Sequence, residues 1–152
     1  MHCINEAEAQ AWLHAHQADT AQALHLFGSW RIPSDAGRKM ALAKLLRSHL
    51  NWEAGVLLWV TDWGIWPSAE NMLIFERLRA GSGETRSLRD APAHLFSGQD
   101  QEEGEAMMAV GLYFMWDMTV VAAGEPVVVQ FDHHETLRLL GSSTTASADL
   151  AN

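Results

Sequence analysis

The run Val56-Leu57-Leu58-Trp59-Val60-Thr61-Asp62-Trp63-Gly64-Ile65-Trp66-Pro67-Ser68 decides how this chain is read. Its first five residues are apolar without alternation, which fits a strand buried on both faces; a strand with one wet face would alternate apolar and polar. A buried helix is the rival reading, but Gly55 before the run and Gly64 and Pro67 after it limit the segment to strand length. Ser68 offers an oxygen to the free amides of a following helix, and Glu70 favours that helix's positive end. The expected order is therefore strand, loop, helix, with Trp63 and Trp66 in the loop.

A strand of that kind needs cover on both sides. Asn5 and Glu8 form a capping-box pattern, so a helix is expected from Glu6 to about Gln17 with Ala9, Trp12, Leu13 and His16 on one side. Asp19 and Gln22 repeat the signal, and Leu24 and Phe27 continue an apolar face to Gly28, which predicts a second short helix or a bent continuation of the first. Trp30 and Ile32 read as a brief extended piece before Pro33. Ser34 and Asp35 open the next helix, to about Leu50, with Met40, Ala43, Leu46 and Leu50 inward and Arg38, Lys39, Lys44 and Arg47 outward. A further helix, from Ala69 to about Arg79, is expected to bury Met72, Phe75 and Leu78.

Residues 81–99 show no periodicity, so they are either a functional loop or an element without a pattern. Asp100 to Met115 has an acidic first turn followed by a wide apolar face, which reads as a largely buried helix whose Gly111 permits close approach to a sheet. Met118 to Ala123 and Val127 to Phe131 form an antiparallel hairpin around Gly124-Glu125-Pro126. Leu137, Leu139 and Leu140 make a last short element, and residues 141–152 read as a disordered tail. The expected fold is one α+β domain over residues 1–140, with a small mixed or antiparallel sheet of three to four strands and helices packed over it.

At 152 residues and 48% hydrophobic content the chain can bury a single core. Cys3, the single cysteine, cannot form an intrachain disulfide and lies where a terminus is expected to fray. Residues 1–6 lack the basic start and apolar stretch of a secretion signal. The longest apolar run, Ala106 to Trp116, falls short of the roughly 20 residues that span a bilayer. A cytoplasmic protein with no membrane role is expected.

The net charge of -9 is unevenly placed. The first 89 residues hold nine acids and nine bases, whereas residues 90–152 hold ten acids against Arg138 alone. Phosphate backbones are held by clustered Lys and Arg, so this balance excludes nucleic acid as the main partner. A basic protein is the expected partner.

Asp132-His133-His134-Glu135 is the densest group of proton carriers, but adjacent histidines diverge on either a helix or a strand, and no H-E-x-x-H or Cys-His metal pattern occurs. Neither metal nor cofactor is expected. Asp62 lies at the carboxyl end of the central strand, where sheets commonly take ligands, and Trp63 and Trp66 could wall a pocket there. Asp117, His133 and Glu135 join it if the hairpin pairs beside that strand. His94, in the patternless segment, is a further candidate. No nucleophile motif occurs, so no catalytic residue is assigned.

The residues 57–71 that contain Trp63-Gly64-Ile65-Trp66-Pro67-Ser68, then Ala91-Pro92-Ala93-His94-Leu95-Phe96, Trp116-Asp117 and His133-His134-Glu135, resemble a bacterial family of small proteins of unknown function. The likeness covers roughly residues 53–136 and implies no activity, so no residue role is carried over. The family pattern has His-Asp-Glu where this chain has His133-His134-Glu135. The layout, acidic and without a catalytic signature, is also similar to immunity proteins that neutralise bacterial toxins. Two functions are therefore expected: a binding module meeting a basic partner through its acidic carboxyl-terminal portion, or a small-ligand or metal-dependent enzyme around Asp62, Asp117 and His133.

Overall fold

A computed structural model describes residues 1–16, 25–63, 70–124 and 127–141. Trp66, the Ser68 cap, the Asp19–Gln22 helix signal, Glu125-Pro126 and residues 142–152 lie outside the described residues. Seven strands form one antiparallel sheet: β1 (His2–Ile4), β2 (His25–Arg31), β3 (Val56–Asp62), β4 (Ala93–Phe96), β5 (Asp117–Ala122), β6 (Val127–Asp132) and β7 (Thr136–Gly141). The strand order is β1-β4-β3-β5-β6-β7-β2. Among the described residues the α-helices are α1 (Glu6–His16), α2 (Ala36–His49), α3 (Glu70–Gly81) and α4 (Gln101–Phe114).

The α+β class agrees with the sequence, but the expected sheet of three to four strands is corrected to seven. The four unforeseen strands had little periodicity to show. β1 is three residues long and β4 four, hidden in the patternless segment because both its faces are buried. β2 contains Gly28 and Ser29 and is largely exposed, and it replaces the end of the expected second helix. β7 is the last leucine-rich element, which runs through Gly141 and so shortens the expected tail.

β3 is the sandwiched strand that its sequence predicts. It pairs with β4 and β5, and Val56, Leu57, Leu58 and Val60 are each no more than 1% exposed. Its residues alternate between two apolar cores. Val56, Leu58 and Val60 join Phe75, Met108, Leu112 and Met118 beneath α2, α3 and α4. Leu57 and Trp59 meet Ile4, Ala9, Trp12 and Leu13 beneath α1. Each fully buried side chain of this size contributes about 1.5–3 kcal/mol.

Local chemistry sets the helix ends. Asn5 and Glu8 exchange backbone-to-side-chain bonds at 2.9 and 2.8 Å, the reciprocal cap read from sequence. Asp35 caps α2 by accepting from the Arg38 amide at 2.9 Å. Met115, in the left-handed region at φ 58°, stops α4. Helix α4 lies close against its neighbours because two glycines admit side chains: a Cβ on Gly104 would enter the ring of Trp52, and one on Gly111 would strike the Met118 sulfur.

The frame of α2 differs from the expected one. Lys39 is 7% exposed and Met40 is 50% exposed, so the buried stripe runs through Lys39 and Ala43 and not through Met40. On α3, Phe75 and Arg79 are buried while Leu73 and Ile74 face outward. Cys3 is also corrected: it is 3% exposed and held in β1, opposite His94 of β4.

Candidate functional site

The antiparallel order gathers one end of β3, β5, β6, β7 and β2 at a common rim. Asp62 pairs with Asp117 across β3 and β5, after a register shift following Val60. Such bulges re-aim the side chains that follow them. Met118 pairs with Phe131, which brings Asp117 beside the turn that begins at Asp132, and Thr136 of β7 pairs with both Asp132 and Arg31.

That turn explains Asp132-His133-His134-Glu135. A three-residue hairpin loop wants its last residue in the left-handed region, and Glu135 has φ 63°. Asp132 Oδ1 accepts from the amides of His134 at 3.0 Å and Thr136 at 3.1 Å, so the aspartate closes the turn with its own side chain. Its other oxygen takes Arg138 at 2.9 Å.

Asp117 Oδ1 accepts twice from His133, from the backbone amide at 2.7 Å and from ring Nδ1 at 2.9 Å. The second bond requires the proton on Nδ1, which leaves Nε2 as the acceptor of a neutral imidazole. The His134 ring packs against it with centroids 4.0 Å apart. Thr61 Oγ1 donates to the Asp117 carbonyl at 3.2 Å. Asp62 is exposed, and Trp63 is half-buried against the main core.

The structure thus brings Asp62, Asp117 and His133 together, with Trp63 next in the chain. Glu135 is on the same rim but is bound by Arg31, Nε at 2.9 Å and Nη2 at 2.6 Å, so it ties the β6–β7 turn to the edge strand. Among the described residues no group of three or more His, Cys, Asp or Glu could hold a metal ion. No helix among the described residues is long and apolar enough to cross a membrane.

No family model, curated protein or solved structure matches the chain. Any function is argued from its own geometry.

His94 is a core residue. It is fully buried, its Nδ1 donates to the Leu58 carbonyl at 3.3 Å, and Phe75 packs edge-on against its ring. Burial, reinforced by the Arg79 cation and opposed by the Leu58 bond, pushes its pKa down to about 3. Arg79 is 1% exposed and donates Nη2 to the Ala91 carbonyl at 2.9 Å; its Nε and Nη1 have no hydrogen-bond partner among the described residues. Burial raises the Cys3 pKa, although Arg79 beside it acts in the other direction.

Four acids of the carboxyl-terminal portion are committed inside the molecule. Glu105 holds Arg47 at 2.7 Å, Asp132 holds Arg138, Glu135 holds Arg31, and Asp100 holds the α-amino group of Met1 at 2.9 Å. Asp117 differs: its ionic partner is a histidine, which is charged only when protonated. Sequence reasoning missed Arg31 and Thr61 at this rim. Neither carries a local signal, because strand register alone places them.

Proposed function

We propose that this domain is a protein-binding module that receives a basic partner at the acidic rim of its sheet. The observation that carries the reading is the pairing of Asp62 with Asp117 across β3 and β5, with Asp117 fixed by His133 and by no lysine or arginine among the described residues. Like charges directly opposite on neighbouring strands are unfavourable. An incoming Lys or Arg side chain relieves that like-charge contact. Because Asp100, Glu105, Asp132 and Glu135 already hold internal cations, Asp117 at the rim supports the basic-partner reading better than those acids do. An immunity-like role, in which an acidic surface blocks a basic toxin, is the form this reading takes.

The test is recovery of partners by the tagged protein at low and at high salt, with Asp117→Asn alongside. Exposed charge pairs weaken as salt rises, so the partner is expected to be lost at high salt and from the variant. Recovery of nothing, or of a partner indifferent to both changes, refutes the reading.

One observation favours a second reading, a small-ligand or proton-transfer site. Asp117 orients His133 through Nδ1, which is how a carboxylate prepares an imidazole to work as a general base through Nε2. His133→Gln separates the two: it removes proton transfer, while partner binding through Asp117 survives.

A further inference from the structure

A second surface lies on the helical layer, away from the rim. Helices α2 and α3 flank α4, and between them runs a trough of about 450 Å³. Ala109, Val110 and Phe114 of α4, Met40 of α2, and Ile74 and Leu78 of α3 line it. Met40 and Ile74 are about half exposed, and Tyr113 at one end is 58% exposed. An exposed apolar concentration of this kind marks interaction surfaces more often than scattered single residues do.

Lys39 says what the occupant carries. It lines the same trough at 7% exposure, and its Nζ lies 3.1 Å from the Met115 sulfur, 3.5 Å from the Tyr113 carbonyl and 6.0 Å from the centre of the Tyr113 ring. These partners are a weak sulfur acceptor, one carbonyl in the last turn of α4 and an aromatic face. No carboxylate pairs with Lys39 among the described residues. An ammonium has three donors and a full charge, and a largely buried cation is costly without a counter-charge. Lys39 is the charged residue of the lining; of the other bases of α2, Arg38 and Arg47 are already paired, with Asp35 and Glu105.

We propose that the trough receives an amphipathic helix of a partner protein, seated by its apolar stripe between α2 and α3, with a carboxylate that completes the pairing of Lys39. Helical walls on either side of a helical floor suit a helix lying in a groove. The Lys39 cation selects an acidic one although the whole chain carries -9. This surface is independent of the rim, so the two can be occupied together.

The test uses two fluorescent synthetic helical peptides with the same leucine stripe, one with glutamates and one with lysines on its polar face. Fluorescence anisotropy measures binding, and only binding that Ile74→Glu removes is counted, which sets aside contact at the rim. The glutamate peptide is expected to bind roughly tenfold or more tighter than the lysine peptide, and Lys39→Met is expected to reduce that preference to about threefold or less. Because Ile74 and Met40 are exposed, Met40→Glu serves as a second blocking variant that leaves the core intact. The proposal is overturned if neither peptide binds, if the lysine peptide binds as well as the glutamate one, or if Lys39→Met keeps the preference. It is equally overturned if the protein forms a concentration-dependent dimer that Ile74→Glu abolishes, since the occupant is then a second copy.

Discussion

Mild acid should destabilise this domain through His94. The residue is fully buried, and its pKa is pushed down to about 3, first by burial and then by the Arg79 cation, whereas an unfolded histidine titrates near 6.5. Between those values the unfolded chain binds a proton that the folded chain refuses. The neutral imidazole therefore contributes stability above about pH 6.5 that falls steadily as the pH drops toward 3. One pKa unit corresponds to about 1.4 kcal/mol, so going from pH 7 to pH 5 removes on the order of 2 kcal/mol. That is a large share of the roughly 5–15 kcal/mol typical of a domain, and it lowers the melting midpoint by about 4–8 °C. Glu84, held down to about 2 first by its bonds from Arg86, acts in the same sense, but its stability is lost only as the pH falls from about 4.5 toward 2, below the interval from pH 7 to pH 5. Urea unfolding followed by tryptophan fluorescence at pH 7 and pH 5 measures the change. His94→Asn, whose amide takes the position of Nδ1, and His94→Leu should both lose most of that pH slope. If they keep the wild-type slope, or if the folded His94 ring titrates near neutrality by NMR, the reasoning is wrong.

Other perturbations test the packing and the rim. Gly104→Ala drives a methyl into the rigid Trp52 ring and should cost about 1–3 kcal/mol, whereas Gly111→Ala meets the flexible end of Met118 and should cost less; their order in thermal melts checks this. Glu135→Gly removes an exposed ion pair worth about 0–1 kcal/mol and a left-handed non-glycine conformation that costs a similar amount. Its melting temperature should therefore stay level or rise, and a clear fall would show that the Arg31 bond matters more than the backbone. Asp117→Asn weakens two bonds to His133 and should destabilise by roughly 1–2 kcal/mol, read by chemical denaturation.

The central strand, the first helix with its cap and the β5–β6 hairpin were legible in the sequence because each carries a periodic or uninterrupted apolar pattern with turn chemistry at its ends. The remaining strands were not, for particular reasons. Ala93–Phe96 is too short and too buried to alternate, and β1 and β2 hold their places by pairing with distant partners. Lys39 was placed on the outside because a charged residue in an amphipathic helix usually belongs there. The neighbouring end of α4 overrides that preference by offering a carbonyl and a sulfur. At the rim, Asp117 comes to lie beside Asp62 and to hold His133 because the hairpin pairs beside β3, as the sequence reading assumed. Glu135 was assigned to the same group only because nothing local announces Arg31 across the β2–β7 pair.

The most direct measurement is a nitrogen-15 NMR titration of the protein with a hexalysine peptide at low and then high salt. If Asp117 and Asp62 form the acceptor for basic groups, the amides of Asp62, Asp117 and His133 shift together with peptide, the α2–α4 trough does not, and salt or Asp117→Asn abolishes the shifts. Shifts confined to another surface, or an unresponsive rim, would contradict the account.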